Sequence, residues 1–262
     1  MKTRFLDVIT CTVTILALTV CLCGCSTQPS SDAASPSATE KTERLAPSLS
    51  ARIEQLIATN NESDPPMSDA QIAMLQRALA HDGLVSKKDY DLAWSNYQQC
   101  VISKGYTAPV ATPYPEGLRG TSISPNVGDR GDEVMMKVIN DAADCKFREY
   151  QAIDEMYTLA KGNPNLYQDR EVGFAECLRR NGLTEPSYTA QQYKEEYARS
   201  QALYSEKISE GGSISEAWDY SKQAFSYDFD DAKVQLCYIT NRLDVKSWGP
   251  DDADHAWYPF GE

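Results

Sequence analysis

An all-α fold is the class this sequence predicts, and three observations point to it. Amphipathic stretches opened by hydroxyl residues recur along the chain, no stretch sustains an alternation of apolar and polar residues, and no Asn-Gly hairpin lies between β-branched runs. Four cysteines spread over the helical part, Cys100, Cys145, Cys177 and Cys237, predict that the helices are stapled by disulfides.

The first helical signal is Ser68-Asp69-Ala70-Gln71, a capping box leading into Ile72, Leu75 and Leu79, with Asp82-Gly83 as its stop. Ser86-Lys87-Lys88-Asp89 is a second box. It opens a helix expected to run to Lys104 with Tyr90, Ala93, Trp94, Tyr97 and Cys100 along one side. Thr107 to Gly128 is irregular, carrying Pro109, Pro113, Pro115 and Pro125. From Asp132 to about Lys161 the stripe Val138, Ala142, Cys145, Ala152, Met156 and Leu159 predicts one long helix, interrupted on its apolar face only by Glu149. Gly162-Asn163-Pro164 stops it. A further helix is expected to carry Leu166, Arg170, Phe174 and Cys177, and Thr189-Ala190-Gln191-Gln192 opens another. After Gly211-Gly212, Ser215 is the expected cap of a last helix reaching Leu243, followed by a tail from Val245 to Glu262.

Residues 100–109 read CVISKGYTAP and residues 177–186 read CLRRNGLTEP, so both follow C-φ-x-x-x-G-φ-T-x-P without a gap. A cysteine in the last turn, a glycine five residues on for a left-handed cap and a proline beyond it make a sound helix ending. Each copy precedes a helical stretch bearing the other cysteine, which predicts two diverged helical repeats, 68–161 and 165–243, closed by Cys100–Cys145 and Cys177–Cys237. Chance likeness limited to the cysteine device is the alternative. A Cys100–Cys177 bridge would instead staple the halves to each other.

At the N-terminus, Lys2 and Arg4 precede an apolar run from Val8 to Leu22 and small residues around Gly24, the three regions of a secretory signal. The run is about 16 residues, short of the roughly 20 that an uncleaved membrane anchor needs. Residues 26–48, STQPSSDAASPSATEKTERLAPS, have no apolar period and read as a flexible tether with a span on the order of 25 Å. The organisation expected is therefore signal 1–24, lipidated tether 25–48 and helical ectodomain 49–262, with an aromatic tail at 244–262.

Leu22-Cys23-Gly24-Cys25 resembles the lipobox of bacterial lipoproteins, which implies that Cys25 takes a diacylglyceryl group and becomes the first residue. Residues 79–106, LAHDGLVSKKDYDLAWSNYQQCVISKGY, resemble a stretch of uncharacterised actinobacterial envelope lipoproteins, with an acidic-Gly turn, a hydroxyl cap and a helix ending C-x-x-x-x-G. The resemblance implies attachment to the cell membrane through lipid at the extracytoplasmic face, and no reaction. In that compartment disulfides are the default state of the four remaining cysteines.

The formal charge is -13. Loss of Lys2, Arg4 and Asp7 with the signal removes one net positive charge and makes it -14. So acidic a surface argues against nucleic acid as a partner. His81 and His255 are the only histidines, and no G-x-S-x-G, H-E-x-x-H, G-x-G-x-x-G or P-loop pattern occurs. No catalytic residue, metal site or cofactor is expected. The Asp228, Asp230, Asp231 and Asp251, Asp252, Asp254 groups lack the glycine and terminal glutamate of a calcium loop. The sharpest binding expectation is aromatic: Trp248, Trp257, Tyr258 and Phe260 of the tail, with Tyr106 and Tyr114 of the proline loop, as a stacking surface for a cell-wall glycan or peptide. The function expected is thus a membrane-anchored helical binding or structural module. An exported carboxylate-based hydrolase, or an accessory subunit of a membrane complex, is the alternative.

Overall fold

A computed structural model describes residues 43–120, 125–243 and 257–261. Cys25, Trp248, His255 and Asp251, Asp252 and Asp254 lie outside the described residues. Among the described residues there are nine α-helices and one two-stranded antiparallel ribbon. The helices are α1 (Leu49–Ala58), α2 (Asp69–Leu79), α3 (Lys87–Ser103), α4 (Asp132–Glu149), α5 (Gln151–Gly162), α6 (Arg170–Arg180), α7 (Ala190–Ser209), α8 (Ile214–Ser221) and α9 (Ala232–Thr240). The ribbon pairs β1 (Thr112–Pro113) with β2 (Arg119–Gly120) inside the proline loop. The fold is all-α, as predicted.

Cys100 of α3 is bonded to Cys145 of α4, and Cys177 of α6 to Cys237 of α9. This is the expected pairing. Both cysteine-bearing helix ends turn out through a glycine of positive φ, Gly105 at 93° and Gly182 at 66°. Between the paired helices the halves differ: the first has the proline loop and ribbon, the second the α7–α8 hairpin.

Each disulfide sits at its own core. Ile53, Met74, Leu75, Tyr90, Tyr97, Val138, Tyr150, Ile153 and Met156 surround Cys145. Phe174, Leu178, Tyr188, Tyr193, Tyr227, Phe229, Val234 and Tyr238 surround Cys177 and Cys237. Helix α9 is shared, sending Leu236 and Ile239 into the first core and Val234, Cys237 and Tyr238 into the second. It approaches so closely that a methyl group on Gly162 would lie 1.6 Å from Thr240 Oγ1, and one on Gly173 would lie 2.2 Å from Asn241 Oδ1. Only glycine leaves room for α9 there.

Several boundaries differ from the sequence expectation, each for a physical reason. Residues 43–48 belong to the fold and not to a tether: Leu45 N–H donates to Leu166 O at 2.8 Å, Gln168 N–H donates to Glu43 O at 2.9 Å, and Ala46 is buried. Leu45 and Ala46 are the apolar residues that hold this segment down, and Ser48 caps α1. The stretch 132–161 is two helices meeting at Tyr150, whose φ/ψ of -137°, -38° is not helical. The break is made from α2. Gln71 Nε2 donates to the carbonyls of Phe147 and Arg148 at 2.8 and 2.7 Å, and Gln71 Oε1 accepts from Ala152 N–H at 2.9 Å. The side chain expected to close the Ser68 capping box is thereby used elsewhere; Ser68 Oγ still accepts from Gln71 N–H.

Leu166 lies outside a helix, at φ 57°, and α6 starts at the Asp169 cap, whose carboxylate accepts from the amides of Glu171 and Val172. The last stretch is capped by Ser213 rather than Ser215, in a box with Glu216. It divides into α8 and α9 because residues 225–230 form bends and a turn whose Phe225, Tyr227 and Phe229 pack as tilted ring pairs on one another and, through Phe229, on Tyr238. Asp231 then caps α9 by accepting from Lys233 N–H at 2.7 Å.

A candidate functional site at the junction of the two cores

The aromatic residues expected to form one stacking surface are divided by the structure. Trp257 is 3 % exposed and its indole works inside the protein, Nε1 donating to Thr107 Oγ1 at 3.0 Å and to Thr107 O at 3.2 Å. The tail segment is stitched down by Thr107 N–H to Pro259 O, Thr107 Oγ1 to Tyr258 O and Asn126 N–H to Trp257 O. Tyr106 is buried beneath it, edge-on to Trp257 and Phe260, with its hydroxyl 2.6 Å from Asp141 Oδ2. Phe260 is 39 % exposed, but the Arg130 guanidinium lies 4.4 Å above its ring. Tyr114 is placed elsewhere, against Gly120 in a cavity beside α5 and α9. The tail aromatics of the described residues therefore pack the proline loop onto α4.

The polar chemistry concentrates around α5. Tyr150 hydroxyl lies 2.7 Å from Tyr90 hydroxyl and donates to Asp154 Oδ1 at 2.9 Å, with Tyr90 hydroxyl 3.2 Å from the same oxygen. Arg119 backbone N–H donates to Tyr90 hydroxyl at 3.1 Å. Its guanidinium stacks over the rings of Tyr90 and Trp94 at 5.0 and 5.7 Å and pairs with Asp91 at 2.6 Å. Burial pushes the Asp154 carboxyl above the usual carboxylate range, against the pull of the two hydroxyls, Lys146 and Arg242. Burial likewise lowers the Lys146 ammonium and raises Tyr90 to about 12. The spacing of Tyr90 marks it only as an apolar-face residue and nothing local marks Asp154, because the partners come from α3, α5 and the proline loop.

Two cavities open where this network meets α9. One of about 210 Å³ is lined by Tyr114, Arg119, Asp154, Thr158, Ile239 and Arg242. The other, of about 290 Å³, is lined by Arg52, Glu155, Thr158, Asn163, Arg170 and Arg242 among others. Thr158 and Arg242 line both, so the two cavities lie side by side along α5 and share that wall; together they are called the crevice. Such junctions are common ligand positions. Glu155 is held by Arg52, with Nη2 2.8 Å and Nε 2.9 Å from Oε1. Arg170 donates from Nη1 to the Arg242 carbonyl at 3.3 Å. A broader groove of about 940 Å³ runs over the Cys100–Cys145 bridge between Asp69, Asn96, Lys104, Asp144 and Arg148.

Among the described residues no cluster of His, Cys, Asp or Glu is arranged to hold a metal. Asp228 and Asp230 are engaged locally, Asp228 Oδ1 accepting from Asp230 N–H and Asp230 pairing with Lys222 at 3.0 Å. No helix among the described residues is long and apolar enough to cross a membrane. Comparison with protein-family models, curated proteins and solved structures gives no match to the chain.

Proposed function

We propose that this protein is a lipid-anchored, extracytoplasmic helical binding module that presents the crevice along α5 to a small solute. The observation that carries the address is the pairing of Cys100 with Cys145 and Cys177 with Cys237, which uses every cysteine downstream of Cys25. Disulfides of this kind belong to an oxidising compartment. The signal-like residues 1–24 and the Leu22-Cys23-Gly24-Cys25 sequence supply a route there and an anchor, since two or more acyl chains hold a protein stably on a bilayer.

Binding is favoured over hydrolysis by the state of the crevice carboxylates. Asp154 is engaged by two tyrosine hydroxyls and Glu155 by Arg52, so neither stands as a free member of an acid–base pair. Intact mass spectrometry of the protein purified from membranes tests the anchor. The expected N-terminal peptide begins at Cys25 and carries diacylglyceryl and acyl masses. An unmodified N-terminus, or one that retains residues 1–24, overturns it.

A further inference from the structure

We infer that the crevice recognises an oxyanion, a carboxylate or phosphate group, through the guanidinium groups of Arg170 and Arg242. This deepens the binding-module reading of the same crevice and does not depend on the lipid anchor.

The sign of the charge is the first argument. The chain carries a net charge of -13, yet the crevice gathers Arg52, Arg119, Arg170 and Arg242. An acidic surface with a locally basic, walled crevice focuses potential where an anion would sit. The second argument is which of these cations are already used. Arg52 is paired with Glu155 and Arg119 with Asp91. Neither Arg170 nor Arg242 forms an ion pair at bonding distance with a carboxylate among the described residues; Arg170 spends one nitrogen on the Arg242 carbonyl, and Arg242 acts on buried Asp154 through space only. The rest of each fork remains to donate, and the planar guanidinium matches a carboxylate or phosphate edge with two parallel bonds.

Position is the third argument. Arg242 follows the Asn241 cap of α9 with φ 53°, in the left-handed region that glycine adopts at least cost. The conformation carries its side chain to the wall common to both cavities, beside Thr158. A cation-binding reading fits less well, because both crevice carboxylates already have partners. Cavities of about 290 and 210 Å³ lie just below the usual range of ligand pockets, which limits the occupant to a small solute or the head of a larger one.

The test uses the full-length protein in detergent, titrated with citrate and separately with inorganic phosphate at low salt, by calorimetry and by NMR. Saturable binding of one or both is expected, and which one saturates tells a carboxylate source from a phosphoryl source. Arg242→Gly keeps the left-handed backbone while removing the guanidinium, so it should stay folded and bind about tenfold more weakly, one lost charge-assisted contact. Arg170→Gln should weaken binding similarly. Arg148→Gln, in the separate groove near Cys145, should leave it unchanged. Full binding by folded Arg242→Gly overturns the inference, as does failure of both anions to bind folded wild-type protein. If an N-acetylhexosamine binds at Thr158 and Arg242 while neither anion does, the oxyanion assignment falls and the binding module stands. If no probe binds at all, both fall.

Discussion

Gln71 reaches from α2 into the break between α4 and α5, where its Oε1 accepts the Ala152 N–H at 2.9 Å while its Nε2 serves the carbonyls that the break leaves open. One fully buried amide thus replaces the helix bonds lost around Tyr150. Tyr150 in turn is aimed at Tyr90 and Asp154, so the polar network beside the crevice depends on where this helix is cut.

Gln71→Ala should destabilise the protein by about 2–4 kcal/mol, because it orphans buried backbone groups as well as removing hydrogen bonds. Gln71→Glu should recover little, since a carboxylate cannot donate to the Phe147 and Arg148 carbonyls. Urea unfolding followed by circular dichroism measures both. A loss below about 0.5 kcal/mol for the alanine variant would show that the break is made by something else.

Gly162→Ala should be more damaging than an ordinary helix substitution. Its new methyl would meet Thr240 Oγ1 at 1.6 Å, forcing α9 away from α5 at a cost of about 1–3 kcal/mol or more. Pairing it with Thr240→Ser removes a methyl but leaves the offending oxygen, so little stability should return. Pairing it with Thr240→Gly should restore part of it. Thermal melts of the single and double variants distinguish steric contact from intrinsic helix propensity.

Acid should weaken the fold partly through Asp89. Its hydrogen bond with Arg77 holds the carboxyl below the usual range, with Ser86 assisting against burial. A depressed folded pKa means stability that is present above the unfolded value of about 4 and lost as pH falls through the folded value. Arg77 is half exposed, so screening limits the effect to about 1 kcal/mol. Asp89→Asn should be less stable at neutral pH and show a flatter acid limb in pH-dependent denaturation.

Alkali acts with the opposite sign through Tyr90 and Tyr97, both raised to about 12 by burial. Their contribution is complete below the unfolded value of about 10 and is lost as pH climbs through 10 toward 12. Tyrosinate absorbance should therefore rise late for these residues, and Tyr97→Phe should delay base-induced unfolding. Ionisation of the full tyrosine complement near pH 10 (about the free value) with the fold intact would contradict the burial.

Trp257→Ala should cost about 3 kcal/mol and release the tail, because a large buried ring and its bonds to Thr107 disappear together. Phe260→Ala, at a ring 39 % exposed, should cost much less. Amide exchange at Thr107 and Asn126 reports tail release directly, since their N–H groups donate to Pro259 and Trp257.

Features that depend on near neighbours are legible in the chain alone. Ser68, Ser86 and Thr189 are helix caps where their spacing predicts them, and among the described residues the strands are confined to one ribbon of two two-residue strands. The repeated C-φ-x-x-x-G-φ-T-x-P device also sorted the four cysteines correctly, because a helix ending is a local event and each pair closes within its own half. Features that depend on distant partners are set by packing between elements. The long apolar stripe from Val138 to Leu159 is compatible with one helix until Gln71, some 80 residues away in the chain, captures its backbone. The tail aromatics look free until Thr107, 150 residues earlier, accepts the Trp257 indole. The crevice is the extreme case: Arg119, Asp154, Arg170 and Arg242 share no spacing, and they meet because Gly162 and Gly173 let one helix lie against both cores.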